Sequence, residues 1–132
     1  MSGEEPITVT DAELLAAFNE LLEEYRAKRQ WRKWVRDLRS AHPPKLPVRV
    51  RRRMLKDYNG HARLSADGSH FTVTIDATLD NQHAWSVLLH EWAHLLTWWD
   101  EPTEVDHNDA WGKCFAMLWR ENHGDADHEV PE

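Results

Sequence analysis

The sequence predicts a small α+β domain with an N-terminal helix, a three-stranded antiparallel sheet and two further helices. Apolar residues recur at helical spacing in three segments, and they alternate with polar residues in a central one. Proline-rich or glycine-containing turns separate these segments. At 132 residues the chain has room for one modest core. We therefore expect a disordered N-terminus over residues 1–9, a single domain over 10–121 and an acidic flexible tail over 122–132.

The first helix is expected to begin at Thr10, because Thr10 and Glu13 form a capping-box pattern. Its first apolar stripe consists of Leu14, Phe18, Leu21, Leu22 and Tyr25. A second stripe, rotated around the helix axis, consists of Trp31, Trp34, Val35 and Leu38. The helix therefore either bends near residues 26–30 or turns its two halves towards different partners. The proline-rich segment 42–47 ends it.

Three strands are expected between residues 48 and 76. Residues 48–54 and 71–76 alternate apolar and polar side chains, and residues 61–65 lead into an Asp67-Gly68 turn. Short connections favour an antiparallel meander. Because residues 70–76 immediately precede the next helix, we expect them to form an exposed edge strand that accepts an added extended segment. An ordinary edge strand is the alternative.

The most informative stretch is His90-Glu91-Trp92-Ala93-His94, which has the H-E-x-x-H pattern of zinc metallopeptidases. It lies on a helix that we expect to begin at a cap from Asp80 or Asn81 and to run to about Trp99. Side chains four residues apart share a helix face, so His90 and His94 can bind one Zn²⁺ ion with Glu91 beside them as a base. The opposite side gathers Trp85, Leu88, Leu89, Trp92, Leu95, Leu96 and Trp99. Structural histidines would lie within that stripe, so the pattern favours a metal site over a solvated polar face.

A catalytic zinc ion usually has three protein ligands, and the motif supplies only two. The metzincin spacing would need glycine at position 97 and histidine at position 100, where this chain has Thr97 and Asp100. His107 is the favoured third ligand because it directly precedes Asn108, the expected cap of the last helix. That helix should present a core face of Trp111, Cys114, Phe115, Leu118 and Trp119. The alternative third ligands are Glu104, Asp106 and Glu121.

The pattern His90-Glu91-x-x-His94 followed by His107-Asn108-x-x-Trp111 resembles the SprT-like zinc metallopeptidases. These carry H-E-x-x-H and then H-G-x-x-F or H-G-x-x-W at the start of the next helix. The resemblance covers about residues 85–119, with Asn108 where the family usually has glycine. The family's C-terminal zinc ribbon has no counterpart here, because Cys114 is the only cysteine.

This resemblance implies a minimal zincin-like fold and hydrolysis of peptide bonds in protein substrates. It also implies one zinc ion held by His90, His94 and His107, with Glu91 as the general base. The sequence leaves the supporting residues open. Thr97, Asp106 or Asp109 could orient the ligand imidazoles. Tyr58, His83 or His123 could stabilise an oxyanion.

The net charge of −7 conceals a strong segregation of charge. Residues 26–56 hold 13 of the 16 lysines and arginines with one acid, a local charge of +12, against −19 elsewhere. This predicts a candidate DNA-binding surface formed by Arg32, Lys33, Arg36, Arg39, Arg49, Arg51 and Arg53, with Trp31 and Trp34 stacking on bases. SprT-like proteases often act on DNA-associated proteins, which supports this prediction by analogy. In the alternative, the basic residues pair with Glu20, Glu23, Glu24 and the acidic tail, and the tryptophans belong to the core.

A single cysteine excludes an internal disulfide framework and suits a reducing compartment. The N-terminal residues do not form a signal peptide, and no apolar run is long enough to span a bilayer. A cytoplasmic zinc endopeptidase with protein or peptide substrates and no membrane partner is therefore the leading prediction. One alternative resembles the repressor-cleaving metallopeptidases of mobile elements, with Glu104 as third ligand. The other is a DNA- or protein-binding module in which zinc is structural or absent.

Overall fold

The computed structural model of this chain describes residues 8–100 and 107–123. Its elements, in order, are α1 (Asp11–Ala41), β1 (Val48–Arg53), β2 (Gly60–Leu64), β3 (Phe71–Asp76), α2 (Asn81–Leu96) and α3 (Asp109–His123). The predicted α+β class, with three helices and three strands, is confirmed. Most of the predicted N-terminus and tail, residues 1–7 and 124–132, lie outside the described residues. Among the described helices, none has the length and apolar character that crossing a membrane requires.

The chain divides into two compact units, Met1–Arg36 and Asp37–Glu132. In the first unit, the capping box at the start of α1 forms as predicted. The Glu13 carboxylate accepts hydrogen bonds from the Thr10 amide at 3.0 Å and hydroxyl at 2.9 Å, and the Thr10 hydroxyl accepts one from the Glu13 amide at 3.1 Å.

The two predicted apolar stripes of α1 differ in burial. Leu14, Phe18, Leu21 and Tyr25 are exposed, whereas Trp31 and Val35 are buried.

The sheet, which belongs to the second unit, is mixed rather than purely antiparallel, and its strand order is β1-β3-β2. β2 and β3 form the predicted hairpin, but β1 pairs with β3 in parallel. The prediction of an antiparallel meander was therefore wrong. β3 is the most apolar strand, and its Phe71, Val73 and Ile75 are fully buried. A central strand is covered on both faces and hydrogen-bonded along both edges. This position suits the apolar β3 better than the arginine-rich β1.

The core of the second unit forms where α2 packs on β2, β3 and α3. The Asp80 side chain caps α2 by accepting a hydrogen bond from the amide of His83 at 2.9 Å. The buried side of α2 includes Trp85, Leu88, Leu89, Trp92 and Leu95, as predicted. The indole of Trp92 also donates to the His42 carbonyl at 2.9 Å. α2 ends at Leu96 rather than near Trp99, and Trp99 is half exposed.

The last helix, α3, begins at its predicted cap, because the Asn108 side chain accepts a hydrogen bond from the Trp111 amide at 2.9 Å. Of its expected core face only Leu118 is fully buried. Trp111, Cys114, Phe115 and Trp119 are half-buried. Three of these side chains form a row of aromatic contacts along α3 instead: Trp111 stacks on Phe115 and Phe115 contacts Trp119.

Candidate metal centre

The candidate site lies on the side of α2 that faces away from its apolar residues. His90 and His94 are half-buried there, one helical turn apart, with ring centroids separated by 5.1 Å. Glu91 is 8% exposed, although it is a charged side chain. The rotation of these residues relative to Leu88, Leu89 and Trp92 follows from the helical period, so the core packing of α2 fixes the direction of both imidazoles.

His107 completes a cluster of three histidines. One ligand nitrogen from each of His90, His94 and His107 lies within 4.8 Å of the other two. The Nε2 atoms of His90 and His107 are 3.0 Å apart. In a tetrahedral site with Zn–N distances near 2.0–2.1 Å, two nitrogen ligands lie about 3.3 Å apart. Three imidazoles that converge to this degree fit a zinc ion, which accepts neutral histidine as a ligand.

The backbone of His107 is unusual. Its φ angle is 55°, in the left-handed region that non-glycine residues rarely adopt. Such a conformation costs about 1–3 kcal/mol and persists where the surroundings hold it. Here the next residue, Asn108, is held by its capping hydrogen bond to α3. This start of α3 directs the His107 imidazole towards α2.

Trp111 contacts all three histidines. The sequence identified Trp111 as part of the motif and of a core face, but it did not predict these contacts. Its ring centroid lies 4.9 Å from that of His90, 5.4 Å from His94 and 4.4 Å from His107. Its indole nitrogen donates to the backbone carbonyl of His90 at 3.1 Å. Trp111 therefore packs against each of the three imidazole rings and ties α3 to α2 at the site.

Two overlapping concavities of about 340 Å³ each open at the cluster, and they share Gly60, His90 and Glu91. The first extends along Asn59, Ser86, Val87 and Phe115. The second extends along His61, Ala62, His94, Trp98 and His107. Glu91 thus lines the same space as the three histidines, at a position from which it can exchange protons with a bound molecule.

The edge of β2 borders this space. Gly60, His61 and Ala62 are consecutive and all line the second concavity. Because successive side chains in a strand point to opposite faces, three consecutive residues meet one concavity along the strand edge. The expectation that residues 70–76 form an exposed edge strand was wrong. β3 is paired on both sides, and β2 is the edge strand next to the histidines.

His61 is a second residue that the sequence reasoning missed. Its Nδ1 atom is buried and has no hydrogen-bond partner among the described residues. Burial lowers the pKa of its imidazole, and the charges of Arg63 and Arg51 lower it further. The neutral form is therefore favoured at the border of the site. No spacing pattern connects His61 to the H-E-x-x-H motif, so only the fold reveals their proximity.

Of the alternative third ligands, Glu121 lies in α3 and pairs with His42, with 2.6 Å between the carboxylate and Nε2. Glu104 and Asp106 lie outside the described residues. Among the proposed orienting residues, the Thr97 hydroxyl donates to the Ala93 carbonyl at 2.8 Å. Asp109 is exposed in the first turn of α3, and Asp106 is again outside the described ranges.

The three candidate oxyanion donors do not line either concavity. His83 is exposed and contacts its cap residue Asp80 at 2.9 Å. His123 stacks on Trp119 with 3.7 Å between ring centroids. Tyr58 is 48% exposed and its ring lies 5.5 Å from that of His61.

The structure places the predicted basic residues in two groups. Arg32, Lys33 and Arg36 belong to the first unit. In the second unit, Arg39 donates to the Val48 carbonyl at 3.0 Å, and Arg49, Arg51 and Arg53 alternate along β1 as exposed side chains. Of the two tryptophans considered as base platforms, Trp31 is buried and Trp34 half-buried, which favours a packing role.

Comparisons of this chain with models of known protein families, with curated proteins and with solved structures found no match. The resemblance to SprT-like proteases therefore stays a prediction that rests on the motif.

Proposed function

We propose that the protein is a zinc-dependent endopeptidase, with His90, His94 and His107 as the metal ligands. The observation that carries this proposal is the convergence of three imidazoles, two from α2 and one from the turn before α3, beside Glu91 in one concavity. A solvated polar helix face would account for His90 and His94 alone. It would not account for the approach of His107 from the turn before α3 or for the left-handed backbone of that residue.

When bound, zinc would supply Lewis-acid chemistry, since it lowers the pKa of a water ligand to about 7 and polarises a carbonyl oxygen. Glu91 is the residue that transfers protons. Its carboxylate accepts a proton from the attacking water and then delivers it to the leaving amine as the peptide C–N bond breaks. Its low exposure strengthens hydrogen bonds to the reacting groups, because little water competes for them.

The substrate would bind as an added strand along the outer edge of β2. Gly60, His61 and Ala62 offer backbone groups at the border of the histidine site. An extended peptide paired with this edge would pass directly over Glu91 and the metal ligands. Such binding uses main-chain hydrogen bonds and needs an unfolded segment, so it favours flexible protein regions as substrates.

The test measures zinc content and cleavage of unfolded casein for the purified protein and two variants. The unmodified protein should bind one zinc ion per chain and cleave casein. Glu91→Gln should keep the zinc and lose about 100-fold or more of the activity, because only the proton-transferring group is removed. His94→Ala should lose both. Ser86→Ala, which changes a residue of the overlapping concavity outside the proton path, serves as the matched control.

Two results would contradict the proposal. A folded protein with intact histidines that binds no zinc would exclude a metalloenzyme. Stoichiometric zinc with activity equal in the unmodified protein and in Glu91→Gln would assign the metal a structural role, as in the binding-module alternative.

A second candidate function, binding of DNA phosphates, is favoured by one observation on the sheet. Arg49, Arg51 and Arg53 share one face of β1, and the strand register sets Arg49 and Arg51 beside Thr72 and Thr74 of β3. Arg63 of β2, which the sequence reasoning overlooked, is paired with Thr72 and joins the same face. The Arg51 guanidinium is held by a hydrogen bond to the Thr74 hydroxyl at 3.0 Å. Four arginines on one sheet face offer a set of phosphate contacts.

Salt dependence tests this second candidate. Replacement of Arg49, Arg51 and Arg53 by alanine should reduce the slope of log affinity against log salt by about 3, since each lost phosphate contact removes about one counterion. Replacement of Lys56, Lys113 and Arg120 by alanine is the control, because these residues are exposed elsewhere in the same unit. This triple variant should have the same slope of log affinity against log salt as the unmodified protein. Absence of DNA binding by the unmodified protein at low salt would remove this function.

A further inference from the structure

The first half of α1 exposes a continuous apolar stripe that the proposed peptidase function does not use. Leu14, Leu15, Phe18, Leu21 and Tyr25 are each 55–65% exposed. Large apolar patches on a soluble protein usually mark an interaction surface.

The spacing of the stripe matches a short coiled-coil seam. Leu14, Phe18, Leu21 and Tyr25 follow each other at intervals of four, three and four residues, which is the alternation of the d and a positions of a heptad. If two copies of this segment are antiparallel and centred between Phe18 and Leu21, Phe18 lies opposite Leu21 of the second copy. Leu14 then lies opposite Tyr25 of the second copy. Each of these layers occurs twice because of the two-fold symmetry.

Residues next to the seam extend the match. In the same arrangement, Leu15 and Leu22 of the second copy occupy facing flank positions about 3 Å apart along the helix axis, so the apolar contact widens on one side of the seam. The next seam residues beyond Leu14 and Tyr25 are Asp11 and Lys28. In this arrangement Asp11 lies opposite Lys28 of the second copy. Thus the apolar layers end in a layer of opposite charges at both ends.

The charge pattern of α1 selects the orientation. Residues 11–24 contain five acids and no base, whereas residues 26–36 contain six bases and no acid. A parallel pair would set Asp11 against Asp11 and Lys28 against Lys28. An antiparallel pair sets Asp11 and Glu13 of one helix near Lys28 and Arg26 of the other. The stripe is therefore complementary to itself only in the antiparallel orientation.

We propose that the protein forms a homodimer in which residues 11–28 of α1 pair with the same residues of a second copy in antiparallel orientation. The contact uses the Leu14, Phe18, Leu21 and Tyr25 seam. It is independent of the metal site, since all of its residues lie in the first unit.

Sedimentation equilibrium of the full chain tests the proposal. The unmodified protein should have the mass of a dimer. Leu21→Glu should weaken association by about 100-fold or more, because each dimer would bury two carboxylates beside the Phe18 rings. Met54→Glu adds the same charge at an exposed apolar residue outside α1 and should leave the dimer intact. Circular dichroism would verify that both variants keep their helices.

A charge exchange tests the orientation. Asp11→Lys and Lys28→Asp should each weaken the dimer, because each change sets like charges against one another in both end layers. The double variant should restore association in an antiparallel dimer but not in a parallel one.

A monomeric unmodified protein would overturn the proposal. So would a dimer that is insensitive to Leu21→Glu, or one in which the double charge variant stays as weak as the single variants. Each of these outcomes can occur with or without zinc-dependent cleavage, so the peptidase proposal is tested separately.

Discussion

Two helical regions of this chain have similar amphipathic sequences but different surroundings. α2 buries its large apolar residues, with Leu88 and Trp92 fully inaccessible, and carries the histidines on its opposite side. The first half of α1, residues 11–25, has an equally regular apolar stripe whose leucines and aromatic residues are exposed. Periodicity therefore identifies which side of a helix is apolar but does not identify what covers that side.

This difference has a functional consequence. A helix that is fixed by its packing can hold side chains on its other face in constant positions, as a metal site requires. α2 meets this condition, and its N-terminus is further fixed by the Asp80 cap. The apolar stripe on α1 is not buried in this way, and it suits contact with a second molecule.

The largest expected effect separates His90 from His83, two of the three histidines of α2. His90→Ala should reduce zinc affinity by more than about 100-fold, because it removes a direct ligand. His83→Ala, which changes an exposed histidine two turns earlier, should leave the affinity unchanged. Competition with a zinc chelator measures both. The same chelator should lower the melting temperature of the unmodified protein and have little effect on His90→Ala. Equal zinc affinity in both variants would assign the metal to other residues.

Equal truncations in the two helices should differ strongly in their effect on stability. Leu88→Ala in α2 should lower the free energy of unfolding by about 2–5 kcal/mol, since Leu88 is fully buried. Leu21→Ala in α1 should change it by about 0.5 kcal/mol or less, since Leu21 is 65% exposed. Urea denaturation at a concentration where the chain is monomeric gives both values. Comparable losses would mean that the α1 stripe is covered within one copy.

The tight packing of α2 can be tested with a single added carbon. A Cβ atom at Gly60 would lie 2.7 Å from Val87 Cγ1 of α2 and 3.0 Å from the Thr74 carbonyl oxygen. Gly60→Ala should therefore destabilise the protein by about 1–3 kcal/mol and move the β2 edge that borders the site. Gly112→Ala is the control, because nothing lies within 4 Å of its added carbon, and it should stabilise α3 by up to about 1 kcal/mol. Val87→Ala should partly rescue Gly60→Ala. Failure of this rescue would locate the strain at the Thr74 carbonyl.

The smallest expected effect compares the caps of the two helices. Hydrogen bonds from the backbone and side chain of His83 lower the pKa of Asp80 below 3.8, and those from Thr10 lower the pKa of Glu13 below 4.5. A lowered folded-state pKa means that each ionised cap stabilises its helix fully above these ordinary values. That stabilisation is lost as the pH falls through the lowered pKa.

Asp80→Ala should lower the melting temperature at neutral pH, and its difference from the unmodified protein should shrink below pH 3.8. Glu13→Ala should fray only the first turn of α1, with the same global melting temperature. Thermal melts across pH, together with hydrogen exchange at the start of α1, measure both effects. A global loss of stability in Glu13→Ala would contradict the comparison between the helices.

The elements themselves could be predicted because their signals are local. Thr10, Asp80 and Asn108 each cap a helix through side chains that lie within three residues of the amides they bind. Strand order was mispredicted because alternation reveals the faces of a strand but not its neighbours. The parallel pairing of β1 with β3 joins residues more than 20 positions apart, and no short pattern encodes it.

The sequence by itself determined that His90, Glu91 and His94 share the polar side of a helix, because the helical period fixes that relation. It also determined the apolar stripe and the charge segregation of α1 as patterns, whereas the exposure of the stripe is a finding of the structure. Only the tertiary structure decided that His107 reaches the other two histidines, that Trp111 packs against all three, and that β2 and His61 border the site. These contacts join separate elements, and their positions depend on how whole helices and strands pack rather than on local spacing.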